Sequence, residues 1–176
     1  MHIRIFCCTF AAELVENMTK EATYQSILPQ IQSLISGESD LIANMANIAA
    51  LLHSTFHFWW TGFYRVNSQC TMHNSQLEKE LVLGPFQGPI ACTRIPYNKG
   101  VCGKAWAQNK TLVVPNVHEF PGHIACSSAS NSEIVVPIRQ NGEVIAVLDI
   151  DSTDYNTFDA IDQKYLEQII LELTQP

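Results

Sequence analysis

Two aspartates, Asp149 and Asp151, stand two residues apart at the end of the apolar run Val144 to Ile150. In an extended strand, side chains two apart share a face. Both carboxylates therefore project the same way, beside Ile145 and Val147, while Val144, Ala146, Leu148 and Ile150 take the other face. Acids on an apolar strand are rare unless paired or functional. The plainer alternative is a strand emerging into solvent, or Asp151 capping a turn with Ser152. Glu133 is a third carboxylate, and the turn at Asn141-Gly142 decides where it falls. A two-residue turn pairs 140 with 143 and sets Glu133 opposite Ile150, on the wrong face. A three-residue loop with Gly142 as a G1 bulge pairs 139 with 143 and sets Glu133 opposite Asp149. The bulged hairpin is the expectation, since it lets three carboxylates converge. Like charges that close cannot all stay ionised in a sheltered pocket, so at least one pKa must rise. Such a group can donate a proton or hold a substrate ammonium.

Six cysteines add sulfur chemistry. Cys102 falls at the start of a short helix, where the macrodipole and free N–H groups favour thiolate. Cys126 lies in a loop rich in glycine, histidine and serine, a usual setting for chemical residues. Cys92 falls in a strand beside Arg94. Each alone also reads as a small buried hydrophobe. Cys7, Cys8 and Cys70, in a tail and a loop, receive no role. His123 and Cys126 are three apart, but there is no C-x-x-C knuckle and the cysteine spacing matches no zinc signature. Neither a metal nor another cofactor is expected. With no G-x-S-x-G elbow, a serine hydrolase is not expected either.

Composition bounds the rest. The 176 residues suit one compact domain, and 47% hydrophobic with 15% charged residues supports a packed core. The net charge of −7 offers no basic stripe for a phosphate backbone, so nucleic acid is an unexpected partner. The apolar N-terminal run is broken by Arg4 and Glu13, too short for a membrane span and without a persuasive signal-peptide cleavage site. A cytoplasmic protein with unpaired thiols is the reading.

The positioning elements follow from periodicity. Residues 1–18 read as an extension and 19–176 as one domain. Tyr24, Ile27, Leu28, Ile31, Leu34 and Ile35 recur at helical spacing from Thr19 to Ser36, with Pro29 expected to kink or split the helix. Ser39 or Asp40 can cap a second helix whose stripe is Leu41, Ile42, Met45, Ile48, Ala49 and Leu52. Trp59 to Val66, Leu81 to Phe86, Ala91 to Ile95, Thr111 to Val114, Glu133 to Arg139 and Glu143 to Ile150 read as strands. Asn67 to Lys79 and Asn116 to Asn131 read as long loops, and Gly103 to Gln108 as a short helix. Asp159 caps a closing helix through Ile161, Tyr165, Leu166, Ile169 and Leu173. The sum is an α+β fold with a mostly antiparallel sheet of about six strands and terminal helices packed on it.

Several strings then come in order: Trp60-Thr61-Gly62-Phe63-Tyr64, Leu81 to Gly88, Ile90-Ala91-Cys92, Arg94-Ile95-Pro96 and Gly100-Val101-Cys102-Gly103. Gly122-His123-Ile124-Ala125-Cys126, Ala129 to Val135 and Val147 to Ser152 follow. Over roughly residues 20–173 the chain resembles the free methionine-(R)-sulfoxide reductase family of GAF-domain type. The resemblance implies a GAF fold, a tendency to homodimerise, and free methionine-(R)-sulfoxide as substrate. It maps three motif cysteines onto Cys92, Cys102 and Cys126, pocket acids onto Glu133, Asp149 and Asp151, and pocket aromatics onto Trp60 and Tyr64.

The chemistry this implies begins with a thiolate attacking the sulfoxide sulfur while Glu133 or Asp151 protonates the oxygen. The resulting sulfenic acid condenses with a second cysteine to a disulfide, which a thioredoxin-type reductant returns to thiols. Cys126, which precedes Glu133 in the pocket-side loop, is the preferred nucleophile and Cys92 the resolving residue. Cys102 is the rival for either role. A GAF module that binds a small ligand, or senses redox through its thiols without turnover, is the alternative.

Overall fold

The computed structural model describes residues 18–67, 71–73, 76–124 and 126–174. Cys7, Cys8, Cys70 and the extension up to residue 17 lie outside the described residues. Helix α1 (Lys20–Ile35) opens on Thr19, whose hydroxyl accepts from the Ala22 N–H at 3.2 Å. Pro29 neither splits nor ends it. The proline is exposed, as is Gln25 one turn earlier, so the carbonyl left without its N–H partner faces water. Tyr24, Ile27 and Ile31 meanwhile hold the opposite face in the core. Asp40 caps α2 (Leu41–Phe56), accepting from the N–H groups of Ile42 and Ala43 at 2.8 and 2.9 Å. The buried stripe is Met45, Ile48, Ala49 and Leu52, while Ile42 points out.

One sheet follows: β1 (Trp60–Val66), β4 (Glu80–Gln87), β5 (Arg94–Pro96), β6 (Leu112–Val114), β7 (Ser132–Gln140) and β8 (Glu143–Ser152). Its order is β5-β4-β1-β8-β7-β6, antiparallel throughout. The expected loop at 67–79 instead holds a small separate ladder of β2 (Thr71–His73) and β3 (Gln76–Glu78). Both strands are too short to leave a periodic signal. The strand expected from Ala91 begins only at Arg94, which leaves Cys92 in the loop that feeds it.

Helix α4 (Ala160–Thr174) closes the chain, with Asp159 accepting from the Ile161 N–H at 2.7 Å. Lys20 reaches Asp159 and the fully buried Asp162, and Tyr24 donates to Asp162, so the two ends of the fold are tied together. Helices α1, α2 and α4 bury Phe63, Ile134, Val136, Leu148 and Ile150 on one face of the sheet. The other face, with Trp60, Tyr64, Val135 and Val147, is covered by α3 (Gly100–Gln108). That helix starts three residues earlier than its apolar pattern suggested, because Gly100 takes φ +60 and admits the first turn.

The β7–β8 hairpin departs from the expected register. Asn141 and Gly142 both have positive φ, 52° and 85°, and Gln140 pairs with Glu143. This is the two-residue type I′ turn, which suits the right-handed twist of the strands. The bulge lies further along: Ile138 pairs with Ala146 but Arg139 with Val144, so Ile145 is the extra residue. Beyond it Glu133 faces Asp151, and Asp149 faces Val135. The three acids do share a face, though by a different register than the sequence suggested. The bulge also exchanges two side chains, since Ile145 packs on the helix-covered core and Val144 on the α3 side.

Candidate active site

The site forms where two rows of the sheet meet α3. In the first row Trp60 pairs with Asp151, and Asp151 with Glu133. In the second, Gly62 pairs with Asp149 and Asp149 with Val135. The space over Gly62 is what lets the Trp60 ring lie along the strand. A Cβ there would stand 2.4 Å from the Trp60 ring and 2.4 Å from Phe86 Cβ. The Trp60 ring is 5.9 Å from that of Tyr64 and 5.5 Å from that of Phe86, and its indole donates to the Pro89 carbonyl at 3.1 Å. A rigid aromatic wall results.

Across from it, Val101 and Cys102 on the first turn of α3, with His123 and Ile124, close a cleft that opens to solvent on one side. Trp59, Ile90 and Cys126 line the mouth; Glu133, Asp149 and Asp151 are also in the wall. Among the described residues, no lysine or arginine lines it.

Electrostatics follow from that enclosure. Glu133 is 5% exposed, and burial, then the charges of Asp149 and Asp151, push its carboxyl far above the usual range. Burial raises Asp149 to about 6, against opposing hydrogen bonds from Cys102 and Glu133. Asp149 Oδ1 is buried with no hydrogen-bond partner in the protein. Burial and Asp149 also push Asp151 up, opposed by a hydrogen bond with the buried Ser130 hydroxyl. His123 Nε2 stands 3.8 Å from Glu133 Oε2, but burial and His118 lower its pKa. With the imidazole neutral and the carboxyl protonated, this contact is no ion pair near neutrality. His123 is a site residue that sequence reasoning weighed only as a metal ligand beside Cys126 and then set aside; its place in the Gly122–Cys126 string was the available signal.

The three cysteines separate. Cys92 and Cys126 are disulfide-bonded, with Cα atoms 5.4 Å apart. Cys126 is exposed at the mouth and Cys92 half-buried, and the Tyr64 hydroxyl donates to the Cys92 carbonyl at 2.9 Å. Cys102 is free, 3% exposed, and its thiol points to Glu133 Oε1 at 3.9 Å. The thiolate expected from the helix start is not favoured. Burial, Asp149 and Glu133 push this thiol well above its ordinary value. Desolvation and nearby carboxylates oppose the charged form more than one short helix supports it.

A cleft with buried acids at its base and a disulfide near its mouth can take a small cationic ligand and exchange two electrons with it. A GAF-domain family model matches residues 37–174. GAF domain-containing protein A of Dictyostelium discoideum is 56% identical over 152 residues, 86% of this chain and 90% of that protein. The free methionine-R-sulfoxide reductase of Escherichia coli is 42% identical over 157 residues, 89% of each. Among solved structures, the free methionine-R-sulfoxide reductase of Neisseria meningitidis, in complex with its substrate, superposes with a TM-score of 0.82 at 49% identity over 89% of each chain. Fold, cleft and likeness agree: the chain belongs to the GAF-domain family, among the free methionine-R-sulfoxide reductases.

Proposed function

We propose that this protein reduces free L-methionine (R)-sulfoxide to methionine, with Cys126 as nucleophile and Cys92 as resolving residue. The observation that carries the reading is one cleft holding a buried, cation-poor acid cluster and a disulfide beside it. The substrate's α-ammonium pairs with Asp149, whose Oδ1 has no other partner, and its S-methyl group rests on Trp60. A peptide-bound methionine sulfoxide lacks the ammonium and would leave a buried carboxylate unpaired, a costly mismatch.

The Cys126 thiolate attacks the sulfoxide sulfur as Glu133, held protonated, donates to the oxygen. The substrate's S–O bond breaks as the protonated oxygen passes to the Cys126 sulfur, so methionine leaves as the thioether and Cys126 is left as a sulfenic acid. The Cys92 thiol then attacks that sulfur, expelling water and forming the disulfide. The two thiols thus supply two electrons, which an external thioredoxin-type dithiol returns. Tyr64 holds the Cys92 backbone for the second step, and Cys102 stays at the base of the cleft against Glu133.

The same reading has one catalytic domain from residue 19, residues 1–18 as an extension, a homodimer in solution and a cytoplasmic setting. Among the described residues, no helix is long and apolar enough to cross a membrane. The test is methionine release from separate R and S sulfoxides of free methionine, with a dithiol reductant, beside an N-acetylated R control. Turnover of the free R form alone is expected. No turnover of any form, with thiols reduced, would leave a ligand-binding or thiol-sensing GAF module.

A further inference from the structure

We propose that the base of the cleft also binds a thiophilic divalent cation of the zinc class, held by Cys102, Glu133 and Asp149 in competition with substrate. One donor atom from each of these buried side chains, a sulfur and two carboxylate oxygens, lies within 4.8 Å of the other two. In a tetrahedral zinc site, with Zn–S about 2.3 Å and Zn–O about 2.0 Å, neighbouring ligand atoms stand roughly 3.5 Å apart. The donors need to close in by only about 1 Å, which small side-chain rotations supply. The fourth position is left to water from the cleft.

Two other observations point to a cation. Asp149 Oδ1 is buried and has no hydrogen-bond partner in the protein. Among the described residues no lysine or arginine lines the cleft, so no fixed positive charge balances its acids. A substrate ammonium answers to the carboxylates but makes no use of the thiol among them. A borderline-soft ion does, because thiolate is the ligand that selects zinc over magnesium or calcium. The ion displaces the thiol proton and the proton of the Glu133 carboxyl, both of which leave to solvent, and coordination holds the sulfur as thiolate. Spacing in the chain gave no zinc signature because the three ligands come from α3, β7 and β8 and meet only in the fold. The competition with substrate rests on the function proposed above; the binding itself does not.

The test is a Co²⁺ titration of the full chain with its Cys92–Cys126 disulfide intact and Cys7, Cys8 and Cys70 changed to serine. Cys102 is then the sole thiol, and cobalt reports it through a near-ultraviolet sulfur-to-metal charge-transfer band. One Co²⁺ per chain is expected, displaced by Zn²⁺, with the band lost in Cys102→Ser. Glu133→Gln and Asp149→Asn should each weaken binding by about tenfold or more, since outer-shell changes alone cost that much. If Cys102→Ser fails to fold, Cys102→Ala carries the same comparison. A band that survives loss of Cys102, or no band at any cobalt concentration the protein tolerates, overturns the site. Free methionine (R)-sulfoxide should displace the cobalt; a band that persists with substrate bound overturns the competition. Cobalt ligation in a protein that never releases methionine contradicts the reductase reading and leaves the metal site standing.

Discussion

Glu133 and Asp151 are direct cross-strand partners, and Ile145 is the residue that makes them so. Without that extra residue in β8, the turn at Asn141-Gly142 would set Glu133 opposite Ile150, on the helix-covered side of the sheet. A one-residue shift in register moves a whole strand face from one core to the other. The bulge therefore decides that a third carboxylate enters the cleft at all.

In the proposed mechanism Glu133 protonates the departing oxygen, a role favoured by burial, which pushes its carboxyl well above the usual range. Glu133→Gln retains size and the capacity to donate an amide hydrogen bond, but not the transferable proton. We expect kcat to fall by roughly 10²–10⁴, the usual worth of general acid catalysis, with a smaller change in KM. Single-turnover methionine release measures this directly, and a variant within threefold of the parent would remove Glu133 from the role.

How much of this was legible in the chain depends on how local each feature is. The stripes of α2 and α4, the strand runs and the caps at Asp40 and Asp159 are set by neighbours in sequence, and they were readable there. The shared face of Asp149 and Asp151 follows from strand period alone. The bulge at Ile145 was not readable, because the turn residues favour a tight turn and nothing nearby marks the insertion. Cys102 illustrates the other limit: its place near a helix start was visible, but the acids that suppress its thiolate arrive from β7 and β8. His123 was weighed as a metal ligand with Cys126 and set aside, and only the folded loop sets it against Glu133.

Asp149 makes the ligand-free protein less stable as pH rises from about 4 through 6. Its folded pKa of about 6 lies above the ordinary 3.8, so the native state retains a proton that the unfolded chain releases between those values. Stability contributed by this group is therefore present below about pH 4 and lost as pH rises through 6, by an amount on the order of 2–3 kcal/mol. Asp149→Asn should flatten that slope in thermal melts between pH 4 and 8. The same substitution should raise KM for the free amino acid about 10- to 100-fold, as expected for a lost hydrogen bond to a charged group. It should also narrow the preference over the N-acetylated form. A melt profile of the variant parallel to the parent's would assign the slope elsewhere.

Tyr64 offers a way to separate the two steps of the proposed mechanism. Its hydroxyl donates to the carbonyl of Cys92, the proposed resolving residue, and not to the proposed nucleophile. Tyr64→Phe keeps the ring packed on Trp60 and removes only that bond, worth about 1 kcal/mol. First-turnover methionine release should stay near parental, while disulfide formation slows about fivefold and sulfenic acid accumulates. Dimedone trapping read by mass spectrometry distinguishes this from a general loss of activity, in which both steps would slow together.

Gly62 is the position where backbone and ligand chemistry meet most closely. It sits beside Asp149 across the strand pair, and the Trp60 ring occupies the volume that its side chain would fill. An alanine Cβ would be 2.4 Å from both the ring and Phe86 Cβ, and neither can yield without disturbing the stacked aromatic wall. Overpacking of this kind costs about 1–3 kcal/mol, so Gly62→Ala should lower the melting temperature by several degrees. More telling is the division between constants. Displacing the ring removes the apolar surface proposed for the S-methyl group but touches neither Glu133 nor the Cys92–Cys126 pair. KM should therefore rise well beyond any change in kcat, and Trp60→Phe should reproduce the KM effect with less loss of stability. A Gly62→Ala enzyme with parental KM would show that the indole does not contact the substrate.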